Sequence, residues 1–238
     1  FRTPLNGLSG MTEVLATTTL DEEQRECLAT IQASSRSLLS LVEEVLDISA
    51  IEAGKLRTWS EPFAPRELLT SIGLILRPQA RAKGLDYRLV IDPQLPEQLV
   101  GDVVHLRQIL LNLVGNAVKF TDKGHVQLDV SPLPRASADQ AWLRIAVSDT
   151  GIGVPHTLRA RLFEAFEQGD TSLARRHEGS GLGTTIAKGL VDALGGRIGH
   201  ADNPGGGSVF WVELPLAVVA PQSRAVIQAV EPDSEAGA

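Results

Sequence analysis

The chain has 238 residues, of which 43% are hydrophobic, and a net charge of −7. These values are typical of a soluble protein of one or two domains, and the acidic balance disfavours nonspecific binding to nucleic acid. No apolar run reaches the ~20 residues needed to cross a bilayer, so the sequence predicts no membrane contact for this segment. A single cysteine, Cys27, excludes an intramolecular disulfide and fits a reducing, cytoplasmic compartment.

Residues 1–54 have the pattern of a helical hairpin. Over residues 28–49, apolar and small side chains recur at alternating spacings of three and four, which is the seam of packed helices. A shorter amphipathic segment over residues 5–15 precedes it. A lone hairpin cannot bury such a face, so we predict either a four-helix bundle in a homodimer or packing against the rest of the chain.

The second helix of this hairpin has a start and a stop signal. In the stretch "TLDE", Thr19 would cap the helix and Glu22 would return the bond. Gly54 would end the helix. Both signals lie outside the apolar seam at 28–49, so they bracket the predicted helix.

A second domain is expected at 63–217, after a linker at 55–62 where prolines interrupt the helical pattern. Helices and strands mix there without a regular βαβ repeat, so the predicted class is α+β, with helices on one face of a sheet. The tail 218–238 reads as a flexible linker to a further domain. The predicted helices are 65–82, 102–119, 157–165 and 181–194, and the predicted strands are 85–92, 124–131, 142–148, 196–201 and 207–214.

The stretch "HLRQILLNLVGNAVKFT" places a polar stripe on an otherwise apolar helix. At ~100° per residue, the stripe comprises His105, Gln108, Asn112, Asn116 and Lys119. An exposed face is the simple interpretation. However, asparagine has poor helix propensity, an amide oxygen can join a magnesium shell, and a lysine one turn later can meet a phosphate. The residues by themselves leave both interpretations open.

Glycines follow in two clusters. In "VSDTGIGVP", Asp149 at a strand end could accept the exocyclic amine of adenine, although a tight turn is the common alternative. In "EGSGLGTTIAKGLV", glycines stand directly before a helix and could offer backbone N–H groups to phosphate. The cluster is neither a Walker loop nor a dinucleotide fingerprint. The glycines concerned are Gly151, Gly153, Gly179, Gly181 and Gly183.

In this order, the motifs resemble those of two-component sensor histidine kinases, particularly hybrid sensors followed by receiver domains. "NLVGNAVKFT" resembles the asparagine box, "DTGIG" the first glycine box, "LFEAFEQGD" the phenylalanine box and "EGSGLGTTIAKGLVDALGG" the second glycine box. The resemblance covers residues 1 to about 215. It implies a dimerising phosphoacceptor hairpin followed by a Bergerat (GHKL-type) α/β-sandwich that binds ATP and Mg²⁺.

The resemblance also implies a role for each matching residue. Asn116 would bind magnesium, supported by Asn112. Lys119 would lie near the phosphates and Phe120 beside the base, while Asp149 would select adenine. The glycines named above would shape the pocket. Ser180 and Leu182 would lie in a lid over the phosphates, Phe163 and Phe166 would close against it, and Arg175 and Arg176 could touch phosphate. Thr184 stands where the family usually has Leu.

Asn112 separates this chain from hydrolysing relatives of the same fold. They carry at that position a Glu that activates water, so the resemblance implies transfer of phosphate to protein in place of hydrolysis. A Bergerat-fold ATPase and a noncatalytic nucleotide-binding scaffold are the alternatives.

The opening "FRTPLNG" resembles the end of the family's acceptor box, usually Ser-His-Glu-Phe/Ile-Arg-Thr-Pro-Leu. The phosphoacceptor His and a Glu are therefore expected immediately before Phe1, and the chain without them should not label itself. Thr3 would position water when the kinase dephosphorylates its partner. The whole protein is expected to be a membrane-anchored sensor, with this core on the cytoplasmic side of the inner membrane.

Overall fold

A computed structural model describes residues 2–134, 140–164 and 181–219. None of the described helices is long and apolar enough to cross a membrane. In chain order the elements are α1 (Arg2–Ala16), α2 (Glu22–Glu52), β1 (Glu61–Phe63), α3 (Pro65–Ala82), β2 (Asp86–Ile91), β3 (Leu99–Gly101), α4 (Val103–Phe120), β4 (His125–Pro132), β5 (Gln140–Asp149), α5 (His156–Arg159), α6 (Gly183–Ala193), β6 (Arg197–Asp202) and β7 (Ser208–Val218).

The N-terminal region is the expected helical hairpin, but its second helix starts two residues later than predicted. Asp21, not Thr19, caps α2: its Oδ1 accepts the Gln24 N–H at 2.8 Å, and Gln24 Oε1 accepts the Asp21 N–H at 3.1 Å. The Thr19 and Glu22 pairing is therefore wrong. Asp21 and Gln24 have the same three-residue spacing, so the sequence offered two capping boxes and the local backbone selected the second.

The predicted stop at Gly54 is confirmed. Gly54 has φ +61°, the left-handed conformation that ends many helices. The Lys55 N–H reaches back to the Ala50 carbonyl at 2.9 Å, which satisfies one of the last free carbonyls of α2.

The rest of the chain forms one seven-stranded sheet. The strand order is β1-β3-β7-β5-β4-β2, with β6 paired to β7, and every pair except β2–β4 is antiparallel. Along β5, buried residues alternate with half-buried ones, so one face of the sheet is covered more than the other. Helices α3, α4 and α6 pack on that side, as the sequence predicted.

Three details of this sheet domain differ from expectation. Strands β1 and β3 were missed because each has only three residues, too few to show alternation, and β1 contains Pro62. Strand β1 also starts inside the stretch expected to be a linker. The helix expected at 157–165 ends at Arg159: the next backbone bonds, from Arg161 to Leu158 and from Glu164 to Arg161, span three residues and form turns.

The hairpin contacts the sheet domain through the end of α2. Ile48 and Ile51 are half-buried and pack against the domain core. A Cβ on Gly189 of α6 would lie only 2.6 Å from the Ile51 side chain, so glycine at this position permits the close approach of the two helices. Between α2 and α4, Gln108 Nε2 donates a short hydrogen bond to Asp47 Oδ2.

Candidate functional site

The polar stripe of α4 is not a solvent-facing surface. All five of its residues are half-buried. At the start of α4, His105 Nδ1 lies 2.7 Å from Asp102 Oδ2, and one turn later Gln108 bonds to Asp47 of α2. The two asparagines of the stripe face the start of α6. The stripe therefore lies between the hairpin and α6, and the exposed-face interpretation is wrong.

The start of α6 approaches both asparagines closely. A Cβ on Gly183 would lie 3.5 Å from Asn116 Nδ2 and 3.8 Å from Asn112 Cγ. Nδ2 of Asn112 is buried and has no hydrogen-bond partner among the described residues. A buried amide without a partner is unfavourable, so this arrangement is suited to a ligand that supplies the missing acceptor.

Asp149 ends β5 and is buried, with 5% of its surface exposed. Its Oδ1 accepts the backbone N–H groups of Gly151 at 2.8 Å and Ser208 at 3.2 Å. No described residue donates to Oδ2, so this oxygen is available to a donor such as an amine. Burial raises the pKa of this carboxyl, while the two N–H bonds and nearby His200 lower it in part.

Two glycines allow the backbone to fold tightly around Asp149. A Cβ on Gly151 would lie 2.3 Å from the Phe120 carbonyl oxygen, and one on Gly207 would lie 2.0 Å from the Asp149 carbonyl oxygen. Gly153 follows and lies opposite Gly207, where a Cβ would be 3.4 Å from the Gly207 oxygen. Any side chain at 151 or 207 would displace the backbone that holds Asp149.

Lys119 and Phe120 lie at the end of α4. The Lys119 ammonium is 4.8 Å from the centre of the Phe120 ring, a cation–π distance. Desolvation lowers the pKa of Lys119, and the negative charge of Glu44 on α2 opposes that shift. Lys119 therefore lies where charge on the hairpin acts on it.

The second glycine box is described from Gly181 onward. Gly181 has a positive φ of +72°, Leu182 is buried at the N-cap position of α6, and Gly183 is its first residue. Phe163 is half-buried in the turns after α5, and Thr184 is half-buried in the first turn of α6. The remaining predicted lid residues lie outside the described residues: Phe166, Arg175, Arg176, Gly179 and Ser180. Thr3 lies in α1, and its side chain is not described.

Sequence reasoning missed the contribution of the β6–β7 turn. Ser208 supplies an N–H to Asp149, Gly207 packs against it, and Asn203 Nδ2 donates to the Asp149 carbonyl at 2.8 Å. The available signal was "NPGGGS", in which three consecutive glycines exceed what a simple hairpin turn needs. A cross-strand contact to residue 149 could not be predicted without the strand order.

The residues present suit a single amide-ligated Mg²⁺ better than an all-protein metal cage. Among the described residues, no group of three or more His, Cys, Asp or Glu side chains could hold a metal ion. Magnesium commonly takes one or two protein oxygens and completes its shell with water and substrate phosphates. The half-buried Asn116, next to the start of α6, can provide one such oxygen.

Two protein families match this chain. Residues 101–218 match the family of histidine kinase-, DNA gyrase B-, and HSP90-like ATPases, and residues 1–54 match the His Kinase A (phospho-acceptor) domain. The chain belongs to the sensor histidine kinases. Its ATPase region is the GHKL-type domain expected from the glycine and asparagine boxes.

Similar sensor histidine kinases include much longer proteins. The sensory/regulatory protein RpfC of Xanthomonas campestris pv. campestris is 62% identical over 228 residues, which are 96% of this chain and 31% of that protein. The signal transduction histidine-protein kinase BarA of Escherichia coli (strain K12) is 41% identical over 215 residues, which are 90% of this chain and 23% of that protein. The chain thus spans about a third or less of these relatives.

Solved histidine kinases share the fold. Full-length ShkA, determined in complex with AMPPNP, matches with a TM-score of 0.77 and 39% identity over 92% of this chain and 44% of that one. Acinetobacter baumannii AdeS matches with a TM-score of 0.60 and 22% identity over 90% of this chain and 95% of that one. The second likeness concerns the fold only.

Proposed function

We propose that this chain is the dimerisation and catalytic core of a hybrid sensor histidine kinase in two-component signalling. It binds MgATP, and in the whole protein the γ-phosphoryl passes to a histidine and then to an aspartate of a receiver domain. Two observations carry this proposal: the start of α6 lies against Asn112 and Asn116, and the turn after the buried Asp149 lies against the Phe120 carbonyl at the end of the same helix α4. The AMPPNP complex of ShkA supports an adenine nucleotide as the ligand.

Each side chain has a defined task in this proposal. Asp149 Oδ2 accepts the exocyclic amine of adenine, since Oδ1 is already occupied by two backbone donors. Asn116 contributes an amide oxygen to Mg²⁺, with Asn112 beside it. Lys119 meets the phosphates and Phe120 lies near the base. When bound, Mg²⁺ neutralises charge on the phosphates.

The glycine boxes and the lid complete the proposed site. Gly151 and Gly153 hold the turn under the base, while Gly181, Leu182 and Gly183 hold the start of α6 toward the phosphates. As the family resemblance implies, Gly179 and Ser180 would contribute to a lid over the phosphates and Phe163 would close against it. Thr3 positions water for dephosphorylation of the partner.

Asn112 favours transfer over hydrolysis. A neutral amide cannot accept a proton from water, so the site has no general base at the position where hydrolysing relatives carry Glu. Bound ATP therefore stays intact until an imidazole nitrogen attacks the γ-phosphorus. That step forms a nitrogen–phosphorus bond and breaks the bond to the β–γ bridging oxygen, which leaves with ADP.

We further propose that the hairpin forms a four-helix bundle with a second copy. Large apolar side chains remain exposed along both helices of the hairpin, and exposed apolar surface of this kind commonly marks an interaction site. They are Leu8, Met11, Val14, Leu15, Ile31, Leu38, Leu41, Val45 and Leu46. In the whole protein, residues 1–54 and 63–217 would be the two domains, 218–238 would lead to a receiver domain, and a membrane anchor would hold the core at the cytoplasmic side of the inner membrane.

The test is transfer of labelled phosphate from γ-labelled MgATP. Two proteins are compared: the present chain, and a version extended by Ser-His-Glu before Phe1. We expect acid-labile label only on the extended version, as phosphohistidine requires. If the extended version folds and binds ATP but takes no label, the kinase proposal is wrong and a nucleotide-binding scaffold replaces it.

A further inference from the structure

A histidine on the edge strand of the sheet has a ring nitrogen without a partner. His200 pairs with Phe210 across β6 and β7, and the two rings meet edge to face with centroids 5.1 Å apart. Nε2 of His200 is buried and has no hydrogen-bond partner among the described residues. Such a nitrogen is unfavourable unless something that binds later satisfies it.

The position of His200 places this nitrogen beside the proposed base site. The next residue pair on the same face of β6 and β7 is Asp202 with Ser208, and the Ser208 N–H donates to Asp149 Oδ1. This is the core side of the sheet, because Ser208 and Val212, on either side of Phe210, are both buried there. His200 is thus one residue pair from the N–H that orients Asp149.

The charges around His200 act on its pKa in opposite directions, because the carboxylates of Asp149 and Asp202 raise it and the guanidinium of Arg159 lowers it. Asp149 faces it from β5, Asp202 from its own strand and Arg159 from α5, and Arg159 Nη2 is bonded to Asp202 Oδ1 at 2.7 Å. Burial is the largest influence and lowers the pKa of His200. A neutral imidazole has one donor and one acceptor nitrogen, so it can bind either kind of atom on the edge of a base.

We propose that His200 is a second base-recognition residue, whose Nε2 hydrogen-bonds the purine held by Asp149, directly or through one water. This inference rests on the proposed nucleotide site and adds a contact to it from β6. The alternative is that Nε2 is only a defect in the core, tolerated without a ligand.

The variant His200→Phe separates these two possibilities. Phenylalanine keeps a ring against Phe210 and removes both ring nitrogens. Loss of one hydrogen bond should raise the Kd for ATP about three- to tenfold. The melting temperature without nucleotide should not fall, because the substitution removes an unsatisfied buried atom. An unchanged Kd would assign Nε2 to the core and overturn the proposal.

If His200 recognises the base, the weaker binding of His200→Phe must also depend on the base part of the nucleotide. Calorimetric titrations with adenosine and with inorganic tripolyphosphate divide the ligand into its two parts. We expect His200→Phe to weaken adenosine by the same factor as ATP and to leave tripolyphosphate unchanged. Equal weakening of both parts would indicate a general disturbance of the site and would contradict base recognition.

Two further variants serve as controls. His156→Phe makes the same chemical change at an exposed position of α5 and should bind ATP like the unaltered chain. His200→Gln restores a polar atom, so it should bind ATP more tightly than His200→Phe; equal weakening in both would count against a hydrogen bond. If the unaltered chain fails to bind ATP, the proposed function itself is wrong. If it binds and His200→Phe binds equally well, only the inference on His200 fails.

Discussion

Asp149 shows how much a single buried carboxylate determines. Two backbone N–H groups fix its Oδ1, and two neighbouring segments, the turn at Gly151 and the β6–β7 turn with Asn203 and Gly207, pack around its backbone and side chain. Its position at a strand end could be predicted from "VSDTGIG", because a carboxylate followed by close glycines is a local pattern. The donors from Ser208 and Asn203 could not, because they depend on the pairing of β5 with β7.

The substitution Asp149→Asn should stabilise the empty protein and weaken nucleotide binding. Burial raises the folded-state pKa of Asp149 above its ordinary 3.8, so the folded state binds more protons and loses stability as pH rises through that window. Asparagine has no such cost and keeps an oxygen for the two N–H donors. It cannot offer the remaining position as an acceptor for adenine, so the Kd for ATP should rise about 10- to 100-fold.

Thermal unfolding from pH 3.5 to 7, with and without ATP, measures both effects. The unaltered chain should lose stability relative to Asp149→Asn as pH rises, and only the unaltered chain should gain much from ATP. Parallel pH curves for the two proteins would contradict the burial cost assigned to Asp149.

At the scale of elements, local sequence signals predicted where most helices begin and end, but not which other elements they pack against. The periodicity of α3 and α4 gave their boundaries within one residue, because each has a long apolar face. Two capping boxes competed at the start of α2, and periodicity does not distinguish Thr19 from Asp21. The polar stripe on α4 could be predicted from the sequence. Its contact with α2 could not, because a tertiary contact leaves no pattern in the local sequence.

The close packing of α2 on α6 predicts opposite effects for two glycine substitutions. Gly115→Ala in α4 meets open space and should stabilise the protein by about 0.5–1 kcal/mol through helix propensity. Gly189→Ala would press on Ile51 and should destabilise by about 1–3 kcal/mol despite the same gain in propensity.

Urea unfolding of both variants gives the two free energies. In an Ile51→Ala background the cost of Gly189→Ala should largely disappear, because the methyl groups that it meets are gone. Equal stabilisation by the two alanines would show that α2 does not rest on α6 in solution.

On the scale of the whole molecule, the two regions differ in how they bury apolar surface. The sheet domain has its own core, whereas the hairpin leaves one broad face exposed. Heptad spacing predicted that face from the sequence. The spacing does not predict which residues of this face contact the sheet domain and which stay exposed. Ile48 and Ile51 pack against the sheet domain, whereas Leu38 and Val45 remain exposed and available to a second copy.

The double substitution Leu38→Glu with Val45→Glu should separate a dimer into monomers. Both side chains are about half exposed here, 48% and 50%, and buried carboxylates at a bundle seam are strongly unfavourable. Sedimentation equilibrium measures the mass, and the Kd for ATP should stay unchanged because neither residue borders the site. Leu74→Glu, on an exposed residue of α3, is the matched control and should leave the mass unaltered. A monomeric mass for the unaltered chain would refute the bundle.

The hydrogen bond between Asp47 and Gln108 connects α4 to the hairpin. From Gln108 to Lys119, α4 is one uninterrupted helix of about 16 Å that also carries Asn112 and Asn116. A helix transmits displacement along its axis with little compression, and no loop lies between these four residues. A rotation of α2 at Asp47 would therefore act on a stiff helix whose far end carries Lys119, the residue proposed to meet the phosphates. If the proposed site holds the nucleotide, a change in the hairpin reaches it through α2, α4 and the hydrogen bond between them.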